Sequence, residues 1–115
     1  MMSVLDIFEK VNLIMPIEQR RFFNYFDDTV KELQAMYGDF VLEKDADYIP
    51  PVAITDISAV LPLYAGAIVD NIIFLAGGDN DRKSEFIRKA RYAYLKYWND
   101  NAKGRKIKSR GWERV

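Results

Sequence analysis

Residues Leu61 to Ala76, LPLYAGAIVDNIIFLA, form the most apolar run in this chain and end at Gly77-Gly78. Only Asp70 carries a formal charge within it, with Asn71 beside it. On a helical wheel, Leu61, Tyr64, Ala65, Ile68, Val69, Ile72, Leu75 and Ala76 share one broad face, while Leu63, Ala67 and Phe74 lie on the opposite side. A helix that is apolar nearly all round is buried on more than one side. In a chain of 115 residues this leaves two placements. The run is either the centre of a helical core or a core helix whose back meets another subunit. Under the second, Leu63, Ala67 and Phe74 are the candidate subunit interface.

The rest of the chain supplies helices to pack around this run. Ser3 is placed to cap a short first helix, with Asp6 three positions on as in a capping box, and Val4, Ile7, Phe8 and Val11 follow helical spacing. Pro16 suits the first turn of a second helix, where its missing N–H costs nothing, and Glu18 there suits the helix dipole. From Ile17 to Tyr37, Phe22, Phe26, Val30, Leu33 and Tyr37 make one stripe, widened by Phe23, Thr29 and Met36. This is an amphipathic helix, with Gly38 as its terminator. Aromatics at this spacing belong to a core rather than to a stacking platform for bases. Gly66 inside the apolar run implies a close helix–helix approach, because glycine there costs about 1 kcal/mol relative to alanine. Asp79, Asn80 or Asp81 caps the last helix, Arg82 to Asn101, in which Phe86, Ala90, Ala93 and Tyr97 run down the centre, flanked by Ile87, Tyr94 and Trp98. Tyr92 falls among its polar residues and is expected to be exposed. The fold class is therefore all-α: a small bundle of three main helices plus a short N-terminal helix, one long Pro-containing loop and a basic C-terminal tail. Residues 1–102 form the helical domain and 103–115 the tail.

That loop is Asp39 to Thr55, DFVLEKDADYIPPVAIT. Phe40-Val41-Leu42 suits a short extended piece, and Pro50-Pro51 fixes an extended backbone. Glu43, Asp45 and Asp47 invite a calcium reading, but the calcium-loop signature needs glycine at its sixth place and glutamate at its twelfth. Counted from Glu43, those places hold Tyr48 and Ile54. A solvated loop remains, and loops of this length are often functional. The loop is expected to project, or to pack Tyr48 and Ile49 on a neighbour. Asp56 reads as the N-cap of a short helical turn, Ile57 to Val60, with the central helix starting at Pro62.

Catalysis has little to work with. The chain has neither cysteine nor histidine, which removes disulfides, thiolate metal sites, and the commonest general base and metal ligand. No serine has a recognisable flanking motif, and Gly77-Gly78 is not followed by the Gly-Lys-Ser/Thr of a phosphate loop. A buried Asp70 is expected to pair with Arg or Lys from the last helix rather than to act as an acid. No enzymatic activity and no cofactor are expected. The N-terminus lacks a basic n-region and carries Asp6 and Glu9, unlike a signal peptide. The apolar run is short for a bilayer and holds Asp70, so no membrane partner is expected.

Charge is unevenly placed. Residues 1–102 hold 11 Lys/Arg against 16 Asp/Glu, while 103–115 hold six Lys/Arg against Glu113 alone. An acidic body with a basic tail implies a partner for the tail. Arg105, Lys106, Lys108, Arg110 and Trp112 are the candidate docking residues. Three readings stand side by side: a disordered terminus, an arm anchored on an acidic protein surface by Trp112, and a segment wrapping nucleic-acid phosphates.

A helix ending in Tyr37-Gly38, a Pro-containing loop, the segment Asp56 to Asp70 (DISAVLPLYAGAIVD), and Ala90 to Trp98 (ARYAYLKYW) before a Lys/Arg/Trp tail together resemble the small head-to-tail connector, or adaptor, proteins of long-tailed bacteriophages and prophages. The resemblance covers about residues 17–103. It implies a non-enzymatic virion protein that assembles with copies of itself into a ring, commonly twelve-fold, beneath the portal. Such a ring extends the DNA channel and offers a platform to tail-side proteins, with loops and termini reaching neighbours. It implies location in the virion and, during assembly, in the host bacterial cytoplasm. DNA would pass through the channel without specific binding, as an acidic body allows. The alternative is a small helical nucleic-acid-binding module in which Lys83, Arg88, Lys89, Arg91 and Lys96 join the tail on phosphates.

Overall fold

The computed structural model describes residues 1–102. The described residues are all-α, a small bundle of four helices with one short β-ribbon: α1 (Val4–Ile14), α2 (Gln19–Tyr37), α3 (Ala65–Gly77) and α4 (Asn80–Ala102), with β1 (Met2–Ser3) and β2 (Ile57–Ser58). Short 3-10 turns, Gly38–Val41 and Pro62–Tyr64, follow α2 and lead into α3.

The helix ends follow local chemistry. Ser3 Oγ accepts the Asp6 backbone N–H at 3.3 Å and caps α1. Gly38 and Gly78 both take positive φ, 60° and 73°, at the ends of α2 and α3, where a side chain would be strained. The Asp79 carboxylate accepts the Asp81 N–H at 2.9 Å at the start of α4. Pro62 opens the turn that leads into α3, as its fixed φ allows.

The start of α2 differs from expectation. Pro16 and Ile17 precede the helix, whose N-cap is Glu18. Asn12 explains this: its amide donates to the Phe8 carbonyl at 2.9 Å while its Oδ1 accepts the Ile17 N–H at 3.0 Å. The side chain thereby holds the α1–α2 corner in a non-helical path.

Helix α3 lies at the centre, packed against α4, α2 and α1. Phe22, Phe26, Val30 and Leu33 of α2 meet Ile68 and Ile72 of α3 and Phe86, Ala90 and Ala93 of α4 in one core, closed by Val4, Ile7 and Val11 of α1. Phe8 packs edge-on against Phe22, ring centroids 5.1 Å apart. Burial of each large side chain contributes about 1.5–3 kcal/mol, so this shared core holds the four helices together.

The segment expected to form a helical turn at Ile57–Val60 is extended instead. Met2 pairs with Ser58 and Ser3 with Ile57 in an antiparallel ribbon, and Leu42 bridges Val60. Glu43 N–H donates to Ala59 O and Leu61 N–H to Val41 O, both at 2.9 Å. Residues 57–61 thus have backbone partners on two sides, which a lone helical turn cannot offer. Asp56 caps the turn before it rather than a helix after it, since its Oδ2 accepts the Val52 and Ala53 N–H groups at 2.8 and 2.9 Å. Of Phe40-Val41-Leu42, only Leu42 is extended, because Phe40 and Val41 belong to the 3-10 turn.

Candidate interaction surfaces

The polar groups of α3 are tied inward. Asp70 is almost wholly buried, yet Arg82 Nη1 lies 2.8 Å from its Oδ1 and Lys89 Nζ 2.7 Å from its Oδ2. Asn71 Nδ2 donates to Thr29 Oγ1 at 2.9 Å, while Lys83 Nζ donates to Asn71 Oδ1 at 3.1 Å and pairs with Glu32. A buried charge or amide is tolerated only when paired in this way. The pairing of Asp70 expected from the sequence is present, and it links α3 to α4.

The sequence-derived interface residues scatter. Ala67 is buried in the core and is corrected accordingly: α3 has helices on so many sides that this part of its back is covered. Phe74 is half-buried with the Lys83 ammonium 5.2 Å above its ring. Leu63 sits at the rim of exposure. Tyr48 does not project. It is half-buried against the core, and its hydroxyl is pushed up in pKa first by burial and then by the neighbouring Asp27 carboxylate. Ile49, one residue on, is 76% exposed. Arg105, Lys106, Lys108, Arg110 and Trp112 lie outside the described residues.

Other apolar side chains stand in solvent where the sequence reading placed none. Leu13 is 86% exposed and Ile14 51%, at the end of α1, and Val52 is 84% and Ile57 60% exposed in the loop and ribbon. A signal existed for Leu13, which falls opposite the Val4, Ile7, Phe8 and Val11 stripe on a wheel. Leu13 and Ile14 border a groove of about 310 Å³ whose walls include Gly66, Val69 and the Asp70–Arg82–Lys89 cluster, with Lys10 at its edge. Gly66 does not mark a close backbone approach; a Cβ there would meet only Lys89 Cδ, at 3.6 Å.

At the other end of α2, Tyr37 stacks on Tyr94 with centroids 4.5 Å apart, and Phe40 meets Tyr94 and Trp98 edge-on. These rings lock the Gly38–Val41 turn to α4. Tyr92 is 68% exposed, as its place among polar residues predicts.

Four of the five cations in the nucleic-acid reading are held by carboxylates: Lys83 by Glu32, Arg88 by Glu85, Lys89 by Asp70 and Lys96 by Asp100. Among the described residues, no group of three or more carboxylates is arranged to hold a metal ion, and no helix is long and apolar enough to cross a membrane. No protein family, curated protein or solved structure matches the chain.

Proposed function

We propose that this chain is a non-enzymatic structural protein of bacteriophage or prophage head–tail assembly. It is the subunit of an adaptor ring that sits between the portal and tail-side proteins around the DNA channel. The observation that carries the reading is the pair of separate apolar surfaces, Leu13–Ile14 on α1 and Ile49–Val52 on the loop. A ring subunit needs two different surfaces, one for each neighbour, and neighbouring exposed apolar side chains beside a groove are the kind of surface such contacts use. The resemblance of Asp56–Asp70 and Ala90–Trp98 to connector proteins supports the same role. An acidic body, 11 cations to 16 carboxylates over residues 1–102, suits a channel through which DNA slides. Its partners are copies of itself, the portal, tail-side proteins and passing DNA, within the virion and the bacterial cytoplasm during assembly.

The ion pairing of Lys83, Arg88, Lys89 and Lys96 weighs against the nucleic-acid alternative, since phosphates would have to displace carboxylates already in place. Native mass spectrometry and light scattering over a concentration series, with and without a phage portal protein, test the proposal. A closed oligomer, alone or on the portal, is the expected result. A strict monomer that ignores the portal and retards duplex DNA in a salt-dependent manner overturns it.

A further inference from the structure

We infer that the two apolar surfaces are the two halves of one interface: the Ile49–Val52 loop of one copy seats in the Leu13–Ile14–Val69 groove of the next. This rests on the ring reading above and names its contact.

The groove and the loop are complementary in chemistry. The groove is apolar at Leu13, Ile14 and Val69 with Lys10 at its edge, and although Arg82 and Lys89 are paired with Asp70, the three cations leave the groove net positive. The loop presents Ile49 and Val52 to solvent, and the segment leading to them carries Asp45 and Asp47 against Lys44, while Glu43 is paired with the Met1 ammonium. A cation-rimmed apolar groove thus faces an acid-flanked apolar projection, the arrangement that sets register and orientation at an interface.

The loop is also built to dock without much loss of freedom. Tyr48 anchors it beside Asp27 of α2, Pro51 is buried, and Asp56 Oδ2 holds the Val52 and Ala53 N–H groups. Preorganisation of this kind lowers the entropy cost of association. The same anchoring commits the loop to the α2 side of its own molecule, whereas the groove is walled by α1, α3 and α4. Its occupant is therefore a second copy.

The absence of native cysteine makes the test direct. Protein carrying Ile49→Cys is mixed with protein carrying Leu13→Cys under mild oxidation, and disulfide-linked species are read on a non-reducing gel. The expected result is a heterodimeric band well above either variant alone. In parallel, Lys10→Glu is expected to raise the concentration for half-assembly at least tenfold, and Asp47→Lys added to it restores assembly. Both residues are exposed, so circular dichroism should show folded protein throughout. Assembly of the unmodified protein without the cross-link or the charge rescue overturns this interface and leaves the ring reading standing. Cross-linking together with a native mass of the unmodified protein that stops at the dimer, alone and with the portal, supports the interface and overturns the ring. No assembly of the unmodified protein, even with the portal, removes both.

Discussion

Lys89 Nζ reaches 2.7 Å from Asp70 Oδ2, and its stem crosses Gly66 on the way. One long side chain from α4 thus covers a strip of α3 with methylenes and neutralises the carboxylate beneath them, while its own head stays partly in water. Arg82, earlier in α4, pairs with the other carboxylate oxygen, Oδ1, at 2.8 Å. This is how the most apolar helix of the chain accommodates a charge.

The two cations back each other up, which predicts non-additive losses. Arg82→Ala or Lys89→Ala alone leaves Asp70 one partner and is expected to cost about 1 kcal/mol, whereas the double substitution leaves a buried carboxylate unpaired and is expected to cost about 3–5 kcal/mol. Urea unfolding of the four proteins measures the coupling. Simple additivity would show that the cations act independently.

Two glycines should respond in opposite directions. At Gly66 a methyl group meets only the Lys89 stem at ordinary contact distance, so Gly66→Ala is expected to stabilise by about 0.5–1 kcal/mol through helix propensity. At Gly78, φ is +73°, and Gly78→Ala is expected to destabilise by about 1–2 kcal/mol. Chemical denaturation of both variants decides whether Gly66 has a structural role.

Alkaline pH should weaken the fold through two phenols. Tyr48 and Tyr64 both have raised pKa values, chiefly from burial. A group whose folded-state pKa lies above its unfolded value of about 10 contributes fully below that pH and progressively less as pH rises past it. Stability is therefore expected to fall above about pH 10, with a shallower fall in Tyr48→Phe. Tyr64→Phe also removes the hydroxyl's 3.2 Å bond to the Phe40 carbonyl, costing about 1 kcal/mol at neutral pH. Denaturant midpoints between pH 8 and 11 give the comparison.

Asp56 predicts an effect at the acid end. Its pKa is lowered because the carboxylate accepts the Ala53 and Val52 N–H groups, so its contribution is present above the unfolded value and is lost as pH falls through the folded one. Asp56→Ala is expected to lower the exchange protection factors of the Val52 and Ala53 amides at neutral pH, and those of the unsubstituted protein should fall toward the same values on acidification. Equal exchange rates in the two proteins at neutral pH would show that the carboxylate does not order the loop.

Much of the bundle was legible in the chain because its signals are local. The Phe22–Leu33 stripe, the Ser3 cap and the Gly38 and Gly78 terminators each depend on residues within a turn or two of one another. The pairing of Asp70 was legible as well, since an apolar helix with one carboxylate needs a cation and the next helix is rich in them. Residues 56–60 misled because aspartate followed by apolar residues suits a helix cap and a strand equally. The choice between them lay with Met2, Ser3 and Leu42, which are distant in sequence. The interface residues were the least legible. Tyr48 and Ile49 are adjacent, yet the phenol turns toward Asp27 while the more apolar isoleucine stands in solvent.

By itself the sequence determined the helical class, most helix ends and the inward use of Asp70, because these follow from periodicity, capping chemistry and the cost of burying charge. Only the tertiary structure decided that Ala67 is core, that Gly66 lies under a lysine stem, and that Leu13, Ile14, Ile49 and Val52 are left uncovered. Helical spacing states which residues share a face. Which faces find a cover depends on how many neighbours each helix has, and that is a property of the packed bundle.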